Sequence, residues 1–291
     1  RASTDYLAGL ELLSGVNGYV LNGPAVDPLS GYTLYQGGNG LAALENPTTG
    51  EQWVAASTAT SGTTLGDATV TWGSWNTWRQ INGQNLIEQT TPIQYIHSNQ
   101  LTDAAVPANL QGIYHFNAVN GQVFDNTGTE GVLSGGNLSI DFTNQQADLG
   151  LNGSLGNDSW SAYGTDSLSN LYAGQFALNG DRYDGVIAES LSGNAQGQFA
   201  GSNADGLFGY YQLAGSNSQI EGVYAFGDRQ LNDYLAKMTL MNGVNGYVLN
   251  GIAVNPLSHY TLYQGGNGLA ALENPTTGEQ WVAASTASSE M

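Results

Sequence analysis

A chain of 291 residues with 24 acidic side chains against five lysines and arginines carries a net charge of −19, which repels phosphate backbones and anionic lipid heads and argues against nucleic-acid and peripheral-membrane roles. No cysteine is present, so disulfides and thiolate metal sites are excluded, and no run of 18 apolar residues offers a helical membrane span. Only 10% of residues are charged while the 41 glycines are about twice the ordinary ~7% share, a composition short of helix formers that predicts an all-β fold with many turns.

In chain order, the sequence opens on Arg1 with neither Met nor an apolar leader, the start expected of a slice from a longer protein. Asp5–Ser61 then aligns without a gap on Asp233–Ser289, 228 positions further on, and only 9 of the 57 positions differ, among them Gly9/Lys237, Pro24/Ile252, Asp27/Asn255 and Gly31/His259. Duplication at that distance marks a tandem array. A boundary that merely overran one period leaves the repeat real and the cut arbitrary.

Within the repeat, Asp5-Tyr-Leu-Ala-Gly-Leu-Glu-Leu-Leu sets a capping Asp before apolar residues at spacings of three and four, with Gly15 at the stop position. This predicts a short amphipathic helix over 5–13 and again over 233–241. Gly18-Tyr-Val-Leu-Asn-Gly and Tyr32-Thr-Leu-Tyr-Gln read as short strands. Leu41–Glu45, the turn Asn46-Pro-Thr-Thr-Gly50 and Glu51–Ala56 read as a hairpin, repeated at Leu269–Ala284. Ser57–Gly66 reads as a linker, and Ala68–Trp78, with Trp72, Trp75 and Trp78, leads into Ile93–His97.

Between Leu110 and Asp228 the pattern alternates: Leu138, Ile140 and Phe142 against Ser139, Asp141 and Thr143, then Ala147, Leu149 and Leu151 against polar or small neighbours. Later rows mix glycine with large residues, as in Gly174/Phe176/Leu178, Gly197/Phe199/Gly201, Gly209/Tyr211/Leu213 and Gly222/Tyr224/Phe226. Small and large side chains alternating on an inward face suit a narrow closed barrel. The expected fold is all-β with minor helix, an eight-stranded antiparallel up-and-down barrel flanked by the duplicated helix-plus-hairpin segments; a two-sheet sandwich is the alternative. The corresponding domain division is 1–62 for the first segment, 63–109 for the Trp-rich lead-in, 110–228 for the barrel and 229–291 for the second segment.

The succession Leu138-Ser-Ile-Asp-Phe-Thr-Asn144, Trp160-Ser-Ala-Tyr-Gly164, Gly197-Gln-Phe-Ala-Gly201, Gly206-Leu-Phe-Gly-Tyr210 and Gly222-Val-Tyr-Ala-Phe226 resembles the eight-stranded C-terminal barrel of transferrin-binding-protein-like surface lipoproteins. Trp72-Gly-Ser-Trp75 followed by Pro92-Ile-Gln-Tyr-Ile-His97 resembles the lead-in to that barrel in large Gram-negative envelope proteins, some with an iron-dicitrate-sensor-like domain upstream. The resemblance spans residues 66–228 and implies an extracellular or bacterial outer-surface module, as does the lysine-poor, Gly/Asn/Thr-rich composition. It does not imply transferrin binding, because that family holds its ligands through variable loops. The lipidated cysteine of those lipoproteins does not occur in this sequence, so the resemblance does not carry over their mode of surface attachment.

No catalytic constellation stands out, so no enzyme is expected. There is no Gly-x-Ser-x-Gly elbow, His97 and His115 are lone strand histidines better read as structural than as metal or haem ligands, and His259 is Gly31 in the other copy. Asp141, Asp148, Asp158, Asp166, Asp184 and Glu189 offer carboxylates, but no spacing selects a glycosidase pair. Asp125-Asn-Thr-Gly-Thr-Glu130 and Asn203-Ala-Asp205-Gly206 offer oxygen ligands for calcium through Asp125, Glu130 and Asp205, without an EF-hand alternation; no other cofactor is expected. Tryptophans three apart fit neither face of a strand, so at least one of Trp72, Trp75 and Trp78 is expected exposed or at a bend, where indoles stack on sugars or another protein; Trp53 and Trp281 join them as interface candidates, with core packing the plainer role.

The leading functional expectation is a structural or adhesive tandem-repeat module of an extracellular surface protein or filament. Its partners are neighbouring copies or adjacent repeats, joined head to tail by Gly18–Ala56 of one unit docking on the barrel of the next. The alternative is a surface module that captures a host protein, haem or glycan through its barrel loops.

Overall fold

Strands dominate both units of the chain, which divides between Leu231 and Asn232. The computed structural model describes residues 5–231, 238–265, 268–274 and 280–283.

Turns stand where the helix at 5–13 was expected. Asp5 Oδ1 accepts from the Leu7 amide at 3.0 Å, the Leu10 amide donates to the Leu7 carbonyl at 3.0 Å, and Gly9 sits at φ +83°. The Asp side chain offers the backbone a local alternative to helix hydrogen bonds. Tyr6, Leu7 and Leu10 still pack inward on Ala43, Val54 and Ile81, so spacings of three and four recorded a buried face rather than a helix.

Strand β1 (Glu11–Leu13) follows, then the hairpin β2 (Asn17–Asn22) and β3 (Ala25–Pro28), the hairpin β4 (Thr33–Gly37) and β5 (Gly40–Glu45), and β6 (Gln52–Ala55). The expected hairpin of β5 and β6 is present: Asn46 Oδ1 accepts from the Thr48 and Thr49 amides, and Gly50 turns the chain at φ +69°. Residues 57–66 are no linker. Ala59–Leu65 forms β7 and pairs antiparallel along its length with β8 (Ala68–Trp75), since β-branched threonines suit an exposed strand. With β9 (Trp78–Asn82), β10 (Asn85–Gln89) and β11 (Ile93–Ser98), these strands make a six-stranded sheet ordered β1-β4-β5-β6-β9-β10 and a five-stranded sheet ordered β3-β2-β11-β8-β7. The duplicated segment and the Trp-rich stretch therefore interleave in both sheets.

Every residue of β11 is buried, because the five-stranded sheet is the middle of three layers. One face carries Tyr19, Leu21, Val70, Trp72 and Ile96 onto Ala200, Phe208, Val223 and Ala225 of the barrel's outer wall. The opposite face carries Val20, Trp75, Ile93 and Tyr95 onto Leu34, Leu41 and Leu44 of the six-stranded sheet.

After the short helix α1 (Ala105–Asn109) come β12 (Ile113–Asp125), β13 (Glu130–Asp141), β14 (Gln146–Leu155), β15 (Asp158–Ser167), the helix α2 (Leu168–Tyr172), β16 (Phe176–Tyr183), β17 (Ala188–Ala200), β18 (Gly206–Ala214) and β19 (Gln219–Leu231). Each strand pairs antiparallel with the next, and β12 pairs with β19 to close an eight-stranded barrel. The interior is packed: Phe116, Phe142, Trp160, Phe176, Phe199, Tyr211, Tyr224 and Phe226 belong to one buried cluster, which α2 extends with Leu168 and Leu171. Glycine makes room for the rings, as expected. A Cβ on Gly197 would lie 2.7 Å from Tyr224 Oη, and one on Gly222 would overlap Tyr211.

The second unit repeats the first segment's own pairings. Its strands β20 (Thr239–Met241), β21 (Tyr247–Asn250), β22 (Ala253–Pro256), β23 (Thr261–Gly265), β24 (Gly268–Glu273) and β25 (Gln280–Val282) form a four-stranded sheet ordered β20-β23-β24-β25 and the hairpin of β21 and β22. The bulge at Tyr263/Gln264 matches that at Tyr35/Gln36, and Leu257, Leu262 and Leu272 form the small core that Leu29, Leu34 and Leu44 help to form in the first copy. Of the second expected helix, 233–237 lies outside the described residues and Thr239–Met241 is strand.

Candidate docking interface

The first copy of the repeat seats on the barrel that follows it in the same chain, where docking on the barrel of the next unit was expected. Its key is the hairpin of β2 and β3; its seat is the edge of β11 and the outer wall of β17, β18 and β19. Strand β2 pairs with β11 from Asn22 opposite Ile93 to Asn17 opposite Ser98. Gly18 allows that approach, since a Cβ there would overlap the Ile96 carbonyl.

Above the wall, Tyr19 and Leu21 are almost fully buried, and the Tyr19 ring meets Tyr210 edge-on at 5.1 Å. Glutamines projecting from the barrel pin the backbone and the phenol. Gln198 Nε2 donates to Tyr19 Oη at 2.7 Å, Gln212 Nε2 to the Gly23 carbonyl at 3.0 Å, and Gln122 Nε2 to the Gly73 carbonyl at 2.7 Å. Burying two apolar side chains stabilises such a contact by roughly 3–6 kcal/mol, and the hydrogen bonds fix its register.

One acid lies in the interface. Burial pushes the Glu221 carboxyl up to about 7, against the opposing pull of hydrogen bonds from Gln212 and Gln94. Gln212 Nε2 lies 3.3 Å from Glu221 Oε2, tying the acid to the amide that holds Gly23. Burial also raises the Tyr19 and Tyr210 phenols. A cavity of about 240 Å³ opens beside the hairpin tip, lined by Pro24, Asn194, Tyr210, Gln212 and Glu221 among others.

The seat was not among the expected sites, although the sequence carries a signal for it. Strands β13 to β15 keep one polar row, whereas Leu207-Phe-Gly-Tyr-Tyr and Val223-Tyr-Ala-Phe are apolar on both rows. A barrel strand apolar on both sides has a covered outer face.

The candidate site residues fall elsewhere. Trp72, Trp75 and Trp78 are all buried; the bend at 76–77 turns Trp75 and Trp78 into the same core, while Trp72 faces the barrel wall. The expectation of an exposed indole among them is therefore corrected, and the bend explains the spacing. Trp53 is partly buried against Tyr32 and Trp78 and donates to Glu51 Oε1 at 2.8 Å; Trp281 is 40% exposed beside Tyr260.

Asp125 Oδ1 accepts from Thr127 and Thr129, and its Oδ2 lies 3.7 Å from Arg182 Nη2. Glu130 is exposed at the start of β13, and Asp205 accepts from the Asn203 amide at 3.3 Å. Among the described residues no group of three or more His, Cys, Asp or Glu is placed to hold a metal ion. Buried His97 stacks on Tyr95 with its pKa lowered to about 4 by burial. Asp141, Asp148, Asp158, Asp166, Asp184 and Glu189 each accept local hydrogen bonds, such as those from Asn144, Thr165, Arg182, Asn170, Val186 and Asn217.

No protein-family model matches the chain, and no curated protein matches it. Solved structures similar in fold alone include a single-mutant form of the vaccine antigen Transferrin Binding Protein B from Haemophilus parasuis Hp5, with 12% identity over 75% of this chain and 46% of that one at a TM-score of 0.34. A double-mutant form of the same antigen gives 13% identity over 75% and 45% at 0.34. The isotype 1 protein of serogroup B Neisseria meningitidis gives 12% over 75% and 44% at 0.33, so the chain spans less than half the length of each of these proteins.

Proposed function

We propose that residues 5–231 are one bead of a structural or adhesive repeat protein of the bacterial outer surface, and that residues 233–289 are the opening of the next bead. The observation that carries this reading is the seat itself: the duplicated segment is one part of a three-layer body whose other parts are the strands and barrel that follow it. Repeating the segment 228 positions on repeats the demand for those parts. A packed barrel interior supports a load-bearing rather than a ligand-enclosing role, and the acidic, cysteine-free composition supports an extracellular setting. The beads follow one another head to tail, an arrangement that extends without closing.

The test is a chain in which residues 1–289 run on into a second copy of 62–231. The expected result is two beads in solution scattering, with hydrogen exchange at 246–251 slowed to the level of 18–23. A second barrel that folds while 246–251 stays unprotected would refute the reading.

A second reading, capture of a host protein or glycan, draws on one feature. The loop after β16 exposes Val186 at 82% and Ile187 at 67%, with both amides held by Asp184 Oδ1. An ordered apolar tip suits contact with another macromolecule.

A further inference from the structure

The second copy of the segment carries the docking face of the first and leaves it open. Tyr247 is 71% exposed and Leu249 70%, against 4% and 0% for their counterparts Tyr19 and Leu21. None of the nine substitutions between copies falls within Gly246–Gly251, which match Gly18–Gly23 residue for residue. The hairpin already holds the same register, with Tyr247 opposite Pro256 and Leu249 opposite Val254, as Tyr19 lies opposite Pro28 and Leu21 opposite Val26. Among the described residues β21 pairs with β22 alone, so the edge that β2 gives to β11 carries no strand. An open edge beside an apolar row is a template for strand addition.

We infer that the hairpin of β21 and β22 of one chain docks on the β11 edge and barrel wall of a second copy of this chain, in place of that copy's own β2 and β3. This deepens the reading of the chain as a repeat module and rests on it. The occupant is identified by the seat that the first copy uses. Tyr247 takes the place of Tyr19 against Gln198 and Tyr210, Leu249 joins Phe208 and Val223, the Gly251 carbonyl receives Gln212, and Gly246 passes over Ile96. Because Gly246–Gly251 matches Gly18–Gly23 residue for residue, exchange of that strand is nearly balanced in energy, and the resident hairpin keeps chiefly the advantage of its tether, an effective concentration on the order of millimolar. The hairpin and the seat are different patches of the chain, so the contact is heterologous and propagates in one direction.

The absence of cysteine makes a thiol pair a clean reporter. Asn17 lies opposite Ser98, and Asn245 is the counterpart of Asn17. The full chain carrying Ser98→Cys and Asn245→Cys is oxidised in a glutathione buffer and run without reductant. Ser98 is fully buried, so its cysteine meets that at 245 when the second hairpin occupies the seat. The expected product is a ladder of interchain-linked species. It increases about tenfold or more when Tyr19→Ala weakens the resident hairpin, and it is lost when Tyr247→Ala and Leu249→Ala are added. An intrachain link, or unlinked monomer in every background, overturns docking on a second copy. The two-unit chain separates the failures: protection of 246–251 there, with no interchain link here, leaves the repeat reading standing and removes only the exchange between chains.

Discussion

Gln198 Nε2 donates to Tyr19 Oη at 2.7 Å, joining a barrel strand to a residue 179 positions earlier in the chain. The same tyrosine recurs as Tyr247, in identical local sequence but 71% exposed. The pair is a natural control for the worth of the seat. Tyr19→Ala is expected to destabilise the first unit by roughly 3–5 kcal/mol, and Tyr19→Phe by about 1 kcal/mol. Tyr247→Ala should change the full chain's stability by less than about 0.5 kcal/mol. Urea unfolding of the three variants measures all of these, and equal losses at 19 and 247 would show that the seat contributes nothing.

Glu221 makes seating depend on pH. Its carboxyl titrates near 7 in the folded chain against an ordinary value of 4.5, so the folded state binds the proton more tightly. The stabilisation is complete below about pH 4.5 and is lost as pH rises through 7. Stability of the first unit should therefore fall by about 2 kcal/mol between pH 5 and pH 8. Glu221→Gln keeps an acceptor for Gln212 and should flatten the profile while stabilising the protein at pH 8. Burial pushes Asp125 up but is outweighed by hydrogen bonds from Thr127 and Thr129 and by Arg182, so that acid acts at lower pH and does not mask the effect.

The barrel was legible because its signal is local. Ile140 against Asp141, or Leu149 against Asp148, announces a strand with one wet face wherever it lies. The middle sheet was not legible in the same way. Ile93-Gln-Tyr-Ile-His-Ser is buried throughout, and its Gln94 and His97 look solvent-facing until partners 73–127 residues away are in place. Thr60, Thr63 and Thr64 read as linker for the opposite reason, since an edge strand bonded on one side needs few apolar residues. The helix failed at Asp5, whose carboxylate caps a turn as readily as it caps a helix. The seat needed knowledge of which barrel rows were covered, and only Phe208 and Val223 on a nominally wet face gave it away.

Trp75 shows what the tryptophan spacing means. Its Nε1 donates to the Leu41 carbonyl at 2.8 Å from within the core between the two sheets, and Trp78 Nε1 donates to the Thr91 carbonyl at 2.8 Å. Trp75→Phe strands a buried carbonyl and is expected to cost roughly 1–3 kcal/mol, with Trp75→Ala costing about 3–5 kcal/mol. Acrylamide should quench little of the emission from Trp72, Trp75 and Trp78, whereas Trp281→Phe should remove much of the quenchable fraction. Strong quenching that survives Trp281→Phe combined with Trp53→Phe would place one of the three indoles in solvent after all.

Arg182 ties three barrel strands together at one point. Its Nε and Nη2 each lie 2.8 Å from Asp158 Oδ2 at the start of β15, and Nη2 reaches Asp125 Oδ2 at the end of β12. The chain has only five basic residues, and among the described residues no other cation pairs with either acid. Arg182→Met keeps the aliphatic stem and removes the charge, so at pH 7 it should cost roughly 2 kcal/mol, as expected for charge-assisted hydrogen bonds to partly buried carboxylates. The sign reverses the case of Glu221. Asp125 is held below its ordinary value in the folded chain, so its contribution is present above about pH 4 and is lost as pH falls through the depressed value. The variant should therefore unfold at a higher pH than the parent on acid titration, and its deficit should shrink as Asp125 becomes protonated. Circular dichroism across pH 2–7 follows both effects; an unchanged acid midpoint would show that Thr127 and Thr129 alone hold Asp125 ionised.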